Sequence, residues 1–488
     1  MTTSTPQPIP VRNPRTGAFD FEIQPPSATK LDAICVSLRT AQVQWDAAGV
    51  EHRARVLLAW ADAMEARKIE LIAAEQLDTG RFKIAEMMVG ATIGNIRSWA
   101  SRAPKLLEAQ HREGMSSAWG NVAFESQLRP FSLLGVISPW NQPIFLATVD
   151  AIPALLAGCS VVVKCSEYAP RFSAPLMDAV RSVPELADVF TFIQGAGETG
   201  QALIERVDAI CFTGSVPTGR KVAEACARRF IPSYLELGGK DAVIVTQTAD
   251  LERAVQGVLR GGVYATGQVC HAIERVYVQR ELYPSFVNRL VDAASAIKLA
   301  YPGDANGHIG PFIMAQQAAI ADAQLDDAVT KGARILIGGK SEVRGGGIYM
   351  PATVLVDVNH DMDIMVEETF APVIPVMPYD EEAEAVFLAN DSKFGLSGAV
   401  IAGSVDEARR IALQIDAGGI SLQDTTLTGA IINDAEKSSF KLSGLGESRM
   451  GPSAIMRYFR RKVLMTNTTE PVLMSSWAES KFSDGDVA

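Results

Sequence analysis

The amino-acid sequence predicts an α/β protein with more than one domain. At 488 residues the chain is too long for a single simple core, and two or three domains are expected. Hydrophobic residues make up 48% of the chain and charged residues 21%, which is ordinary globular composition. Strand-like stretches alternate with stretches of helical periodicity over short connections, a pattern typical of parallel sheets flanked by helices.

The predicted elements of the first half follow a regular order. Residues 27–110 carry Ala, Leu, Arg and Glu at helical spacing and predict a helical N-terminal region. Residues 122–138 alternate like strands. Strands and helices then take turns, with strands at 159–164, 188–194 and 209–214 and helices at 171–183, 200–207 and 218–230. This alternation predicts a parallel sheet with helices packed on it.

A second α/β block follows the segment at 233–245. It contains a predicted helix at 251–262, a strand at 275–279 and a long helix from Tyr283 to Leu299. Later strands are predicted at 334–339, 347–358, 371–379 and 396–404, and the last residues mix a strand-like piece with a polar tail. Because no low-complexity linker separates the two blocks, we expect closely connected domains.

Charge and composition exclude several classes of protein. The net charge is −11 and no basic stripe is present, which argues against nucleic acid or an anionic membrane as a partner. The apolar stretch at 130–163 is interrupted by Pro139, Asn141, Pro143 and Pro153, so it is interpreted as buried strand, turn and helix and not as a membrane span. The N-terminal residues lack the apolar core of a signal peptide and predict a cytoplasmic protein. No HExxH or CxxC motif occurs, so no metal site is expected.

The segment ATGQVCHAIERVYV at 265–278 places Cys270 after a Gly-Gln pair and before a β-branched run. Two interpretations of this segment stay open on its own residues, a small buried side chain or a thiolate nucleophile. Adjacent side chains of an extended chain point to opposite faces, so His271 is predicted to be poorly placed to deprotonate the thiol. The other cysteines are predicted to be inert packing residues, at 35, 159, 165, 211 and 226.

The run GAGETG at 195–200 has the spacing of a dinucleotide-binding loop and follows a strand-like stretch. No clear second strand ending in Asp or Glu follows it at the distance which that fingerprint requires. We therefore interpret the run as a tight strand-to-helix turn near a nucleotide and not as the pyrophosphate clamp.

Six short motifs occur in one order along the chain: SPWNQP (138–143), KCSE (164–167), FTGS (212–215), LELGGK (235–240), GQVC (267–270) and EETFAPV (367–373). Together they resemble the aldehyde dehydrogenase superfamily, and the resemblance runs from NPRTG near the start to KLSGLGESRMG near the end. Glu236 and Cys270 lie 34 positions apart, as they do in that family. The resemblance implies NAD-dependent oxidation of an aldehyde to a carboxylic acid without phosphate or coenzyme A.

The resemblance implies roles for three catalytic residues. Cys270 resembles the nucleophile, whose thiolate adds to the aldehyde to give a thiohemiacetal and, after hydride transfer, a thioester. Asn141 resembles the side-chain donor to the oxyanion, with the backbone N–H of Cys270 as its partner. Glu236 resembles the general base that activates the hydrolytic water.

The family pattern also implies a cofactor groove. Its predicted members are Ile137, Trp140, Lys164, Glu167, Ser215, Gly238, Glu368 and Phe370. In this pattern Lys164 and Glu167 meet the adenosine ribose and Ser215 the pyrophosphate, while Glu368 and Phe370 meet the nicotinamide ribose and ring. A carboxylate at position 167 accepts hydrogen bonds from a ribose diol and repels a 2′-phosphate, so NAD is predicted in preference to NADP.

The resemblance implies three structural parts. These are a doubly wound NAD-binding domain with the helical N-terminal region (1–111 and 131–238), a second α/β catalytic domain (239–440), and a small β extension for oligomerisation (112–130 and 462–480). A homodimer or homotetramer that acts on a small aldehyde is expected.

Two alternatives stay open, a coenzyme A-acylating relative that uses the same cysteine and a non-catalytic NAD-binding relative. The chain departs from the usual family pattern at Cys165, at Ala371, at Asp424 and in the run KSSFKLSGLGESRMG. These departures leave the subfamily and the aldehyde open. Candidates for the substrate pocket are Gln142, Phe145, Val269, His271 and Thr425.

Overall fold

The computed structural model describes residues 6–303, 307–477 and 479. The predicted domain ranges also include 1–5, 304–306, 478 and 480, which lie outside the described residues. The described chain is a mixed α/β fold built on parallel sheets, so the predicted fold class is confirmed. Within the same residues, no helix combines the length and the apolar character that crossing a membrane requires.

The N-terminal part consists of a hairpin and a group of helices. The hairpin strands are β1 (Ile9–Arg12) and β2 (Phe19–Ile23), and the helices are α1 (Ala28–Ala47), α2 (Val50–Ala66), α3 (Lys68–Thr79) and α4 (Phe82–Glu108). Ser27 starts α1 because its side chain accepts a hydrogen bond from the backbone N–H of Lys30. Gly80 ends α3 in the left-handed conformation that glycine adopts without strain. The helical region predicted at 27–110 is confirmed.

Two strands of a small antiparallel sheet come next, β3 (Glu113–Met115) and β4 (Val122–Pro130). The first large sheet then begins with β5 (Leu133–Ile137), β6 (Ser160–Lys164), β7 (Phe190–Ile193), β8 (Ala209–Thr213) and β9 (Ser233–Glu236). Its helices are α5 (Pro143–Thr148), α6 (Ala151–Ala157), α7 (Ser173–Arg181), α8 (Pro184–Ala187), α9 (Gly197–Ile204) and α10 (Val216–Arg229). The run GAGETG spans the turn after β7 and the first turn of α9, in agreement with the predicted strand-to-helix turn.

The strand order of the first sheet creates a ligand crevice. The five parallel strands lie in the order β9-β8-β5-β6-β7. The chain moves outward from β5 through β6 and β7 and then returns to the other side of β5 with β8. The carboxyl ends of strands on either side of such a reversal are where open α/β sheets bind ligands. The segments after β5 and β8 are therefore the expected walls of a site.

Side chains of the first sheet alternate between two apolar layers. Val161 and Val163 of β6 pack in the cluster that contains Trp60, whereas Val162 packs in the cluster that contains Ile210. Alternation of this kind follows from the two-residue period of a strand and buries both faces of the sheet. The strand ends that carry the site are thus held from both sides.

The second large sheet follows the order β12-β15-β16-β11-β10-β18-β19. The strands between residues 241 and 422 are β10 (Asp241–Val245), β11 (Ile273–Gln279), β12 (Arg334–Ile337), β13 (Glu342–Arg344), β14 (Gly347–Tyr349), β15 (Thr353–Val356), β16 (Val373–Tyr379), β17 (Phe394–Gly395), β18 (Ser397–Ile401) and β19 (Gly419–Leu422). The helices are α11 (Leu251–Val263), α12 (Tyr283–Ser295), α13 (Ala315–Thr330), α14 (Asp363–Val366), α15 (Glu382–Asn390) and α16 (Val405–Ala412), with a 3-10 turn at Tyr264–Gly267. Only β12 runs antiparallel to its neighbour among the described strands of this sheet.

One predicted helix ends early. The helix expected from Tyr283 to Leu299 stops at Ser295. Beyond it the backbone N–H of Lys298 donates to the ring of His308, and the N–H of Ala300 donates to the carbonyl of Ile309. These bonds to a distant segment replace the last helical turn. The prediction was therefore wrong at this boundary because tertiary hydrogen bonds replaced local periodicity.

The C-terminal part returns to both earlier sheets. It contains β20 (Phe440–Lys441), β21 (Gly444–Leu445) and β22 (Phe459–Asn467), with 3-10 segments at Leu427–Ile431, Pro452–Tyr458 and Met474–Trp477. β21 pairs antiparallel with β9, so that Gly444 lies opposite Glu236. β22 pairs antiparallel with β4 along the whole of both strands, which joins the two predicted pieces of the β extension in one sheet.

Candidate active site

A cavity of about 810 Å³ lies at the carboxyl ends of β5, β6 and β8, where the strand order reverses. Each of the six sequence motifs contributes residues to its lining. The lining includes the predicted catalytic residues Asn141 and Cys270 and every predicted cofactor residue: Ile137, Trp140, Lys164, Glu167, Ser215, Gly238, Glu368 and Phe370. Glu236 is the residue before Leu237, which is itself part of the lining.

Cys270 lies in a turn between the 3-10 segment and β11, where its side chain is partly exposed. Burial raises the pKa of the thiol to about 11, and the nearby cations Arg449 and Lys437 act against that rise. The Sγ atom is 3.6 Å from Nδ1 of His271, so the expectation that the two side chains point apart was wrong. The reason is that the chain turns here and is not extended. Burial lowers the pKa of His271 to about 4, which leaves the ring neutral.

The three residues before Gln268 all have left-handed backbone conformations. Their φ angles are 52° at Ala265, 64° at Thr266 and 66° at Gly267. A Cβ added at Gly267 would lie 2.2 Å from the carbonyl oxygen of Ala371, so only glycine fits this approach. The loop that carries Cys270 is therefore pressed directly against the segment that follows Phe370.

Asn141 is tied to the same loop. Its Nδ2 donates to the carbonyl of Gln268 at 3.0 Å. The buried Arg81 donates to the carbonyl oxygens of both Asn141 and Ala265, which links the turn after β5 to the cysteine loop. The side chain of Gln268 ties the loop to a further segment, because its Nε2 donates a hydrogen bond to the carbonyl of Pro311 at 3.3 Å. The amide of Asn141 is thus fixed in the cavity that also contains the thiol of Cys270, and an oxyanion donor needs such a preorganised amide.

Sequence reasoning missed Arg81 and its neighbour Glu75. Glu75 Oε2 accepts the backbone N–H of Ile144 at 3.2 Å and so supports the start of α5. Both side chains lie in the helical N-terminal region, far in sequence from the motifs they hold. The available signal was a charged residue at a core position of a helical pattern, which does not reveal its partner.

Glu236 ends β9 and its two carboxylate oxygens are held by the C-terminal part. Ser439 Oγ donates to Oε2 at 2.8 Å, and Nε of Arg449 lies 3.7 Å from Oε1. The glycines after Glu236 permit close packing: a Cβ at Gly238 would lie 2.6 Å from the carboxylate of Glu368, and one at Gly239 would lie 2.6 Å from the carbonyl of Cys270. The connection from β9 to β10 therefore passes directly behind the cysteine.

The carboxylate of Glu368 contacts the connection from β9 to β10, where it accepts a hydrogen bond from the backbone N–H of Gly239 at 3.0 Å. Burial and the neighbouring carboxylate of Glu274 raise the pKa of Glu368 to about 8. Glu274 in turn accepts the backbone N–H of Thr369 at 2.8 Å and that of Phe370 at 2.7 Å. These bonds fix Phe370, whose φ is 53°, with its ring centroid 5.5 Å from that of Trp140.

The cavity also contains the residues that are predicted to bind the adenosine ribose and the pyrophosphate of the cofactor. The ammonium of Lys164 is almost buried and donates to Glu167 at 3.0 Å. Ser215 precedes α10, and Thr218 in the first turn of that helix lines the cavity together with it. The start of a helix attracts an anion through its unpaired N–H groups. The hydroxyl of Ser138 is buried without a hydrogen-bond partner among the described residues. A dinucleotide fits these donors, and the cavity volume is in the range of ligand pockets.

The substrate-pocket candidates do not line this cavity among the described residues. They are Gln142, Phe145, Val269, His271 and Thr425. Thr425 is fully buried and its hydroxyl donates to the carbonyl of Gly257 at 2.7 Å. The cysteines predicted to be packing residues are buried at 35, 159, 165, 211 and 226.

The chain was compared with known proteins. A model of the aldehyde dehydrogenase family matches residues 1–464. A protein of Mycolicibacterium smegmatis, named as a succinate-semialdehyde dehydrogenase that uses NADP, is 33% identical over 461 residues, which cover 94% of this chain and 88% of that protein. The structure of PutA from Anabaena variabilis, named as an aldehyde dehydrogenase, superposes with a TM-score of 0.93 and 48% identity, covering 96% of this chain and 99% of that one. Betaine aldehyde dehydrogenase from Staphylococcus aureus in complex with NAD+ superposes with a TM-score of 0.89 and 29% identity, covering 98% and 94%.

Proposed function

This chain belongs to the aldehyde dehydrogenase family and oxidises aldehydes to carboxylic acids, and from that premise we propose that it uses NAD and works through a thioester on Cys270. One observation carries the proposal. The thiol of Cys270 and the amide of Asn141 lie in the same cavity as every residue predicted to hold the cofactor. A cysteine hydrolase would have no use for such a cofactor cavity.

In the first half-reaction, the thiolate of Cys270 adds to the aldehyde carbon, and the carbonyl oxygen becomes an oxyanion. Asn141 Nδ2 and the backbone N–H of Cys270 donate to that oxygen. Bound NAD would supply the acceptor for a hydride and its two electrons. As the hydride leaves the carbon, a lone pair of the oxyanion re-forms the C=O bond, and the acyl group remains on Cys270 as a thioester.

In the second half-reaction, Glu236 takes a proton from a water molecule, and the water oxygen bonds to the thioester carbon. The C–S bond then breaks, which releases the carboxylic acid and returns Cys270 as a thiolate. Glu236 is not itself among the residues that line the cavity, but Arg449 interacts electrostatically with both its carboxylate and the thiol of Cys270, which supports a place for this base near the thioester. A coenzyme A-acylating enzyme would need no such base.

NAD is the proposed cofactor in preference to NADP. Lys164 and Glu167 form an ion pair at the cavity, and the carboxylate would accept the hydroxyls of an adenosine ribose and repel a 2′-phosphate. The relatives named above include one that uses NADP and one in complex with NAD+. Measuring kcat/KM with NAD and with NADP tests the choice. The wild type should have the higher kcat/KM with NAD, and Glu167→Gln should reduce the ratio of the two values. A wild-type preference for NADP would refute it.

The decisive experiment on the nucleophile compares Cys270→Ala with Cys226→Ala. Cys270→Ala should abolish NADH formation from aldehyde, followed at 340 nm, and should still bind NAD in a fluorescence titration. Cys226 is buried in the helix α10, so its replacement should leave most of the turnover. Near-normal turnover of Cys270→Ala would overturn the mechanism.

The base is tested through Glu236→Gln, which keeps the shape of the side chain. Steady-state turnover should be slow, because hydrolysis lacks its base, while rapid mixing still gives a burst of about one NADH per site. Undiminished turnover would refute the assignment and would favour the coenzyme A-acylating alternative.

We also propose assembly through the sheet of β3, β4 and β22. It exposes Met115, Val463, Leu464 and Met465, and Trp119 between β3 and β4 is exposed as well. An apolar surface of this kind is typical of subunit contacts. The molar mass measured by light scattering should correspond to a dimer or tetramer, and Met465→Lys should lower that mass toward the mass of a monomer.

A further inference from the structure

Arg449 is a nearly buried cation between two carboxylates. Its side chain is 10% exposed; Nε lies 3.7 Å from Oε1 of Glu236 and Nη1 lies 3.8 Å from Oδ2 of Asp150. Nη2 donates to Oγ1 of Thr213 at 3.0 Å, at the end of β8. Asp150 is itself paired with Arg457, so Arg449 is not needed to neutralise it. The guanidinium attracts the carboxylates of both Asp150 and Glu236, and among the described ion pairs Arg449 is the only cation paired with Glu236.

The segment that carries Arg449 also holds the other oxygen of Glu236. Ser439 Oγ donates to Oε2 at 2.8 Å, and Nζ of Lys437 lies 3.5 Å from Ser439 Oγ. Ser448 closes the segment on itself, since its Oγ donates to the carbonyl of Lys437 at 2.8 Å. One loop thus gives Oε2 a hydrogen bond and places a cation 3.7 Å from Oε1.

Backbone pairing sets the position of this loop. Gly444 of β21 lies opposite Glu236 of β9, and the N–H of Leu237 donates to the carbonyl of Ser443 at 2.8 Å. The register therefore places residues 439 and 449 on either side of Glu236. These contacts belong to the C-terminal run in which the sequence departs from the usual family pattern.

We propose that Arg449 is a positioning residue that orients the carboxylate of Glu236 for thioester hydrolysis, with Ser439 as its counterpart on the other oxygen. This inference rests on the proposed role of Glu236 as the base. A carboxylate displaced by about 1 Å from its productive position loses on the order of 10²-fold in rate. Arg449 acts through Glu236 and is not among the residues that line the cavity.

Arg449 also interacts electrostatically with the thiol of Cys270, and the reactivity of that thiol gives a second measurement. Arg449 and Lys437 lower the pKa of Cys270, while burial and the carboxylates of Asp241 and Glu368 raise it. Removing the charge at 449 should therefore slow alkylation of Cys270 at neutral pH and move its pH profile upward. A residue that served only to support the fold would leave that profile unchanged.

The test compares Arg449→Met and Arg449→Lys with the exposed control Arg97→Met. Arg449→Met should lower steady-state turnover by about 10²-fold and keep an NADH burst near one equivalent per site, which forms more slowly than in the wild type because fewer Cys270 thiols are ionised. Arg449→Lys should recover part of the turnover, since an ammonium keeps the charge but cannot reach both carboxylates in a planar fork. Ser439→Ala should impair hydrolysis in the same way.

A double-mutant cycle with Glu236→Gln decides whether Arg449 works through that carboxylate. If it does, Arg449→Met should add little to the loss caused by Glu236→Gln. Additive losses, a lost burst, or turnover of Arg449→Met within twofold of wild type would overturn the inference. If Arg449→Met does not fold, Arg449→Lys enters the cycle in its place. Full turnover of Glu236→Gln alone would instead refute the proposed function.

Discussion

The replacement Gly267→Ala gives a sharp test of how the cysteine loop is held. Gly267 has a φ of 66°, and a Cβ there would lie 2.2 Å from the carbonyl oxygen and 2.3 Å from the carbonyl carbon of Ala371. Both atoms belong to the backbone, so no side-chain rotation can relieve the overlap. Either the loop of Cys270 or the segment at 371–372 has to move.

The size of the effect follows from these distances. Ordinary contact begins at 3.4 Å, so the two chains must separate by more than about 1 Å. A displacement of this size at a nucleophile costs on the order of 10²-fold in turnover. The left-handed conformation adds about 1–2 kcal/mol of instability for a residue with a Cβ. We expect kcat to fall by at least about 10²-fold and the melting temperature to fall by a few degrees.

The assay is NADH formation at 340 nm together with thermal unfolding, and Gly90→Ala is the matched control. Gly90 lies inside α4 with nothing within 4 Å of its added Cβ, so this variant should keep full turnover and gain stability. Wild-type turnover and an unchanged melting temperature in Gly267→Ala would refute the close approach that the structure shows.

Three further predictions concern the site itself. Asn141→Ala should lower kcat by about 10²- to 10³-fold with little change in NAD affinity, and an effect confined to KM would contradict the oxyanion role. Iodoacetamide should modify Cys270 first, because it is the only cysteine of the described residues that is partly exposed, and the rate should rise about tenfold per pH unit between about pH 7 and 9, because its thiol pKa is about 11; modification of buried Cys211 or Cys226 first, found by mass spectrometry, would contradict this. Since the carboxyl group of Glu368 has a pKa of about 8, it loses its proton only as the pH rises through that value. NAD should therefore bind more tightly at about pH 9 than at pH 7, and Glu368→Gln should remove the difference. A dissociation constant of the wild type that does not change with pH would contradict the proposed contact of Glu368 with the nicotinamide ribose.

Much of the fold could be predicted because it depends on short-range patterns. The period of two in the strands and of 3.6 in the helices identified the alternation that builds the first sheet. Four of the motifs, at 138–143, 164–167, 212–215 and 235–240, lie at the carboxyl ends of strands of the first sheet, which is where such sheets bind ligands. Elements without a clear pattern were missed, such as α13, in which Ala, Gln and Asp leave little contrast between faces. The helix α12 was predicted too long, because the backbone N–H of Lys298 bonds to the ring of His308 and not to the preceding turn of the helix.

By itself, the sequence determined the fold class and the residue types gathered at the site, through motifs whose members are neighbours along the chain. Only the tertiary structure decided which groups hold them: Arg81 at Asn141, Glu274 behind Phe370, and Arg449 at Glu236. It also decided that the thiol of Cys270 contacts His271, because a turn replaces the extended backbone. The physical reason is range. Periodicity and motif spacing describe residues a few positions apart, whereas the contacts of Arg81, Glu274 and Arg449 join positions tens to hundreds of residues apart and exist only after the sheets and loops have packed.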